Sequence, residues 1–221
     1  MSVATDMHSV SRLDAGNFGT WLMQAREALR SNTGMNVPCG NCVGCCTSGY
    51  SILLRPHDAA LDMVPVKFLS SVPGMRYPHA KMNPLANGHC PMFENGRCSI
   101  YSSRPQTCLD YDCRVFTAAG IDAGASRSVI NQRIKAWNFS YASVQEHSAH
   151  RAIQAAAAFI SKHAHRFPAN WNTTAPSAIA VLAIKVYELF VDENFDPQDE
   201  ATAVTRVMDA VRAFDATIHP A

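Results

Sequence analysis

Cysteine is absent from residues 1–38 and from residues 114–221, so all eight cysteines of this 221-residue chain lie between Cys39 and Cys113. An excess of one charge is lacking too. Nineteen Lys and Arg stand against eighteen Asp and Glu, a formal net charge of +1, which excludes a broad non-specific grip on nucleic acid or anionic lipid. No apolar run is long: the longest uncharged, apolar-leaning stretch, Asn172 to Ile184, falls short of the ~20 residues that a membrane-spanning helix needs. The opening Met1-Ser-Val-Ala-Thr-Asp-Met-His lacks the basic start and apolar run of a secretory signal, so a cytoplasmic location is expected. The phosphate-cradling, nucleophile-elbow and H-E-x-x-H motifs are missing, as is a radical-type C-x3-C-x2-C. What is present is a chain 48% apolar and 17% charged, a composition that argues for a folded core.

Thiols in the cytosol are kept reduced, so clustering points to metal or redox chemistry before a disulfide framework. The first cluster, Cys39-Gly-Asn-Cys42-Val-Gly-Cys45-Cys46, has the spacing C-x2-C-x2-C-C. Two intervening residues let successive sulfurs face one centre, and Gly40 and Gly44 permit the turns. Thiolates suit zinc and iron–sulfur centres rather than magnesium or calcium. The run matches the start of a bacterial iron–sulfur motif but lacks the x3-C-P continuation, and a zinc ribbon would carry two separated C-x2-C pairs. The second cluster, Cys90, Cys98, Cys108 and Cys113, supplies four more thiols. Neighbouring side chains diverge in regular structure, so Cys45 and Cys46 are expected to serve different centres, or one to be a ligand and the other free. Alternation along a hairpin sets Cys98 opposite Phe93 and puts Cys90 on the other face. The competing readings are inert buried thiols and a disulfide switch.

The spacing of apolar residues predicts an α+β, helix-rich fold. A loose lead-in over 1–17 precedes a helix over Phe18 to Leu29; a short strand over Tyr50 to Leu54 precedes a helix from Arg55 to about Ser71, kinked or cut short by Pro65. Residues 72–89 read as irregular, and Asn95-Gly96 as a type I′ turn within a hairpin from Cys90 to Tyr101. Beyond residue 120 come four apolar stripes: Ile130, Ile134, Trp137 and Tyr141; Ile153, Ala156, Ala157 and Ile160; Ile179, Leu182, Val186 and Leu189; and Val204, Val207, Met208, Val211 and Phe214. Pro197, Asp199 and Glu200 mark the start of the last helix. The expected organisation is a Cys-rich metal-chelating region over 1–120, with an N-terminal helix, and a helical region over 121–221 packing on it as one compact unit.

Two multi-residue motifs in order resemble a known family. Cys39 to Cys46 carries C-x2-C-x2-C-C, and Cys90-Pro-Met-Phe-Glu-Asn-Gly-Arg-Cys98-Ser-Ile-Tyr101-Ser-Ser-Arg104-Pro105-Gln-Thr-Cys108-Leu-Asp-Tyr-Asp-Cys113 is similar to G-x-C-x-I-Y-x-x-R-P-x-x-C followed by x4-C. This is the CxxCxxCC family, the zinc- or iron-chelating domain of YkgJ-type cysteine-cluster proteins, and the resemblance covers roughly residues 36–115. Leu54-Arg-Pro-His-Asp58 partly matches the family's Leu-Thr-x-x-Asp segment; Leu109 and Asp112 stand where Arg and Pro are common. Flagellin lysine methylases are similar in the Cys motif alone.

The resemblance implies that Cys39, Cys42, Cys45, Cys46, Cys90, Cys98, Cys108 and Cys113 are all candidate metal ligands, and leaves open zinc or an iron–sulfur cluster. The C-x2-C-x2-C run leans to the latter. A metal-binding protein is the first functional reading. The alternatives are an iron–sulfur enzyme or methylase-like modifier of a protein substrate, and a metal-sequestering or trafficking module. Asp58, Tyr101 and Arg104 are candidates to orient ligands or bind an anion, Arg104 equally to hold the Arg-Pro corner by a salt bridge. His89 reads as a surface residue or one supporting a ligand, Asp110 and Asp112 as solvated loop, and His147, His150, His163 and His165 as structural or exposed.

Overall fold

In the computed structural model, residues 12–31, 33–35, 37, 41–75 and 79–217 are described. In chain order the elements are β1 (Leu13–Asn17), α1 (Phe18–Ser31), β2 (Ile52–Leu54), α2 (Ala60–Met63), β3 (Leu69–Ser71), β4 (Ala80–Met82), β5 (Phe93–Glu94), β6 (Arg97–Cys98), α3 (Gln106–Asp110), α4 (Arg114–Ala119), α5 (Ser128–Ala136), β7 (Trp137–Ser140), α6 (Val144–Lys162), α7 (Pro176–Val186) and α8 (Glu200–Ala216). The strands form three small sheets: a parallel pair β1–β7, an antiparallel β2–β4–β3 sheet, and the β5–β6 hairpin. This is the α+β, helix-rich class.

Local chemistry sets the helix ends. Asn17 caps α1 by accepting from Thr20 N at 2.9 Å. Ser143 caps α6, accepting from Glu146 N at 3.2 Å, and the Glu146 carboxylate reaches back to Ala142 N at 2.8 Å, close to a capping box. Gly120 ends α4 at φ +68°, where a side chain would be strained. Asp199 caps α8 through Thr202 N, next to the Pro197 start signal.

Two apolar cores result. The larger joins α1, α4 and α5 with α6, α7 and α8 around Phe18, Trp21, Phe116, Ile153, Ile160, Ile184 and Val207, and so draws residues from both sides of position 120. The smaller, Leu54, Ala60, Val64, Met82, Met92 and Ile100, lies under the β2–β4–β3 sheet, with Cys90 and Cys98 packed against its edge.

Three expectations about elements are corrected. The lead-in becomes a strand at Leu13, because its backbone finds Trp137 to Ser140 as a partner 120-odd residues away, with a register shift between Asp14 and Gly16. The first C-terminal stripe stops being helical at Trp137: Trp137 and Phe139 are buried while Asn138 and Ser140 face out, a period of two rather than 3.6. Residues 69–71 and 80–82, read as helix and irregular chain, are the two strands that complete the β2 sheet; Pro65 does cut the preceding helix short, after Met63. The type I′ turn stands as expected, with Asn95 at φ +49° and Gly96 at φ +77° between Phe93 and Cys98.

Candidate metal centre

Four separate pieces of chain bring thiols to one place. Val43 to Thr47 winds into a single tight turn that carries Cys45 and Cys46. The turn at Cys90 docks on it: Cys90 N donates to Cys46 O at 2.7 Å, and Gly49 N to Gly88 O at 2.7 Å. The hairpin delivers Cys98 at the end of β6. Pro105, fully buried, starts α3 and places Cys108 on its first turn, with Cys108 N donating to Pro105 O at 2.8 Å.

The short helix α3 is tied down from the β2 side. Asp58 accepts from Arg55 N (2.6 Å) and from Gln106 N (2.8 Å), so one carboxylate closes its own loop and caps the helix that bears Cys108. Thr107 Oγ1 donates to Leu53 O at 2.7 Å, and Arg55 pairs with Asp110 at 2.8 Å. Asp58 therefore orients a thiol-bearing element through the backbone, at the place where the partial family segment suggested a role.

The sulfurs of Cys45 and Cys46 stand 4.0 Å apart. Two sulfurs on one tetrahedral zinc, each at ~2.3 Å, would sit roughly 3.8 Å apart. The expected divergence of the adjacent pair is thus not what the turn produces; the helical geometry is too short and tight to send the two side chains to opposite faces. The alternation argument for Cys90 also loses its premise, since β5 begins only at Phe93 and Cys90 sits in the preceding turn.

Proton affinities report the crowding. The hydrogen bond from Cys46 holds the Cys45 thiol down at about 7, with Arg104 contributing in the same direction. Cys46 is pushed far above its ordinary value by its hydrogen bond with Cys45, by burial, and by the charges of Cys45, Cys90 and Cys98. Burial raises Cys90, and Cys98 and Cys45 add to it; burial and the same three neighbours push Cys108 up to about 12. Cys45, Cys46, Cys90, Cys98 and Cys108 thus lie in one another's electrostatic range. Among the described residues no three Cys, His, Asp or Glu side chains already form a cage for an ion. The donor set nevertheless suits a thiophilic cation: the neighbouring thiol charges that oppose ionisation of Cys46, Cys90 and Cys108 would be offset by a positive ion among them.

The remaining candidates fall elsewhere. Cys42 turns toward its own loop, accepting from Gly44 N at 3.4 Å. Cys113 is buried in the larger core, where Trp137 Nε1 donates to its sulfur at 3.1 Å. Cys39 lies outside the described residues. His89 lays its ring edge-on to Phe93. Asp110 and Asp112 are not a solvated loop: Asp110 is in the Arg55 pair, and Asp112 is buried, holding Arg114 at 2.8 Å and Trp21 Nε1 at 2.9 Å. His163 is buried against Phe159, and His150 is half-buried, stacked on Phe18 and bonded to Tyr141 OH at 2.6 Å.

One feature had no signal in the spacing. Tyr50 and Tyr111 bring their hydroxyls to 3.2 Å beside the thiols, Arg127 covers the Tyr50 ring at 3.9 Å, and burial together with Tyr50 raises the Tyr111 phenol. The two tyrosines are 61 residues apart in the chain, and only the docking of the Cys45 turn on the segment after α3 makes them a pair.

Residues 38–132 match the model of the CxxCxxCC family, described as a putative zinc- or iron-chelating domain. Neither a curated protein nor a solved structure matches the chain. No helix among the described residues is long and apolar enough to cross a membrane.

Proposed function

We propose that this protein binds a metal through Cys45, Cys46, Cys90, Cys98 and Cys108, with Cys39 and Cys42 as further donors from the first motif; the match of residues 38–132 to the CxxCxxCC model, described as a putative zinc- or iron-chelating domain, supports this reading. The observation that carries this reading is the gathering of five thiols from four chain segments, two of them at a sulfur separation close to that of one tetrahedral ion. Cys113 is assigned to the core, where it is buried and its sulfur accepts from the Trp137 indole N–H.

Of the two metals, iron as an iron–sulfur centre is favoured by the C-x2-C-x2-C run, and a bound centre would supply either a structural clamp or one-electron chemistry. The chain's own part is to hold thiols with depressed and raised proton affinities side by side. Metal binding must then displace protons from Cys46, Cys90 and Cys108, and affinity should rise steeply with pH. The region around the thiols has short strands and single turns in place of long regular elements, so binding should also contribute to its folding.

The test is elemental and sulfide analysis of anaerobically purified full-length protein, with its visible spectrum. Iron with acid-labile sulfide and oxygen-sensitive absorbance is expected. Colourless protein with tightly held zinc would overturn the iron–sulfur assignment and keep chelation. Protein that takes up neither metal would overturn chelation itself.

A further inference from the structure

Cys45 and Cys46 are neighbours in the chain, and the turn from Val43 to Thr47 holds their sulfurs 4.0 Å apart. Both thiols are free, and access to them is unequal. Cys45 is exposed and Cys46 half-buried, so an oxidant in solution meets Cys45 first, with the Cys46 sulfur beside it. A disulfide would bring the two sulfurs to ~2.05 Å. Consecutive Cα atoms lie ~3.8 Å apart, short of the roughly 4.4–6.8 Å that ordinary bridges span. A bridge here is therefore strained, and strained disulfides are the readily reduced ones. The same residues also hold the site together. Cys46 N donates to Val43 O at 3.0 Å, and Cys46 O accepts from Cys90 N at 2.7 Å. Strain in the Cys45–Cys46 peptide thus acts on the turn itself and on its joint with the Cys90 segment.

The geometry points to a redox switch inside the chelating site: Cys45 and Cys46 close to a vicinal disulfide in the metal-free protein, and metal and bridge compete for the same two sulfurs. The competition rests on the metal-binding reading above, whereas the bridge rests on the sulfur separation and the exposure of Cys45. The oxidant is a peroxide. The Cys45 sulfur attacks one oxygen of hydrogen peroxide, the O–O bond breaks, and a sulfenic acid and water form. The Cys46 sulfur then attacks the Cys45 sulfur. The S–O bond breaks, and the hydroxyl leaves as water with the Cys46 proton. The pair gives up two electrons and two hydrogens, and one hydrogen peroxide becomes two waters. A dithiol reverses the change by exchange. A cation that holds both sulfurs as ligands withholds them from the first step.

The experiment treats full-length protein, metal-free and zinc-loaded, with hydrogen peroxide, alkylates the remaining thiols and maps tryptic peptides by mass. Trypsin divides the cysteines among Ser31–Lys67, Met82–Arg97 and Cys98–Arg114. In metal-free wild type, Ser31–Lys67 should lose two hydrogens, stay unlinked to the other two peptides, and regain the hydrogens with dithiothreitol. Fragment ions should place the bridge at Cys45 and Cys46. Zinc should suppress the change, and oxidised protein should take up zinc only after reduction. Cys45→Ser and Cys46→Ser should each abolish the loss, whereas Cys42→Ser should keep it. A bridge from Ser31–Lys67 to either other peptide, a bridge between Cys39 and Cys42, or a loss that survives Cys45→Ser overturns the proposal. So does oxidation of Cys45 to sulfinic acid with no bridge formed. The wild-type map needs no variant, so it decides the pairing even where a serine protein fails to fold. Wild type that holds neither zinc nor iron brings down the metal-binding reading and the competition with it, while the metal-free map still decides the bridge.

Discussion

Replacing Asp112 by Ala should be among the most damaging single changes outside the thiols. The Asp112 side chain is fully buried and Arg114 nearly so, with 0% and 7% exposure, and the two meet at 2.8 Å. Asp112 also accepts from Trp21 Nε1 at 2.9 Å and from Arg114 N at 2.8 Å, while Arg114 Nη1 reaches Ala15 O at 3.1 Å. The Asp112–Arg114 pair therefore links α1, β1 and the start of α4. Deleting it leaves a buried guanidinium without its counter-charge, at a cost of ~3–5 kcal/mol. A native protein holds only ~5–15 kcal/mol in total, so the variant should be marginal. For a chain of this length the melting temperature should fall by roughly 6–20 °C, at 2–4 °C per kcal/mol. Urea unfolding should be followed once with chelator present and once saturated with zinc, because bound metal adds stability by mass action. A loss below ~1 kcal/mol in the metal-free comparison would refute the argument, since it lies outside the range for a broken buried pair. A double variant, Asp112→Leu with Arg114→Met, supplies the control: removing both charges should restore much of the loss, because apolar replacements of buried pairs are often neutral.

The thiols should divide in metal content. Cys90→Ser and Cys108→Ser should lower the metal-to-protein ratio, while Cys113→Ser should keep it and lose stability instead; equal metal loss in all three would return Cys113 to the ligand set. Gly34→Ala should destabilise the fold, because Gly34 has φ +82° and an added Cβ would lie 2.9 Å from Leu109 Cβ. The left-handed conformation alone costs ~1–2 kcal/mol, and an unchanged urea midpoint would contradict it. Burial lowers the pKa of His150 below its ordinary 6.5, so the unfolded chain takes up that proton first as pH falls. The stability that neutral His150 contributes is present above about pH 6.5 and is lost as pH drops from there through the folded value. His150→Phe, which keeps an aromatic ring against Phe18, should flatten that part of the profile; an identical slope in both proteins would refute the assignment.

Much of the local structure was legible because it is written at short range. The Phe18 helix, the Asn95-Gly96 turn, the Pro65 stop and the Asp199 start each depend on residues within one or two turns of each other. Most of the failures are at long range. Leu13 to Asn17 is a strand only because β7 pairs with it, and Trp137 fits the helical stripe of Ile130 and Ile134 until that same pairing imposes alternation. Asp112 looks solvated between Asp110 and Arg114 in sequence; what buries it is Trp21 arriving from α1. In the candidate site the thiol identities were legible, whereas the closeness of Cys45 and Cys46 was not, since spacing says nothing about the tightness of a turn.

By itself the amino-acid sequence determined the chemistry available: eight thiols in one stretch, little net charge, two ordered motifs, and apolar stripes enough for a helical core. Residue type alone decides which ions a site can prefer, and that needs no fold. Tertiary structure decided the grouping. It docked the Cys90 turn on the Cys46 carbonyl, brought Cys108 in on a helix capped by Asp58, turned Cys113 to the Trp137 indole, and laid Arg104 over the Tyr101 ring. Those choices depend on contacts between segments tens of residues apart, whose free energy comes from burying two cores at once and is not carried by any one segment.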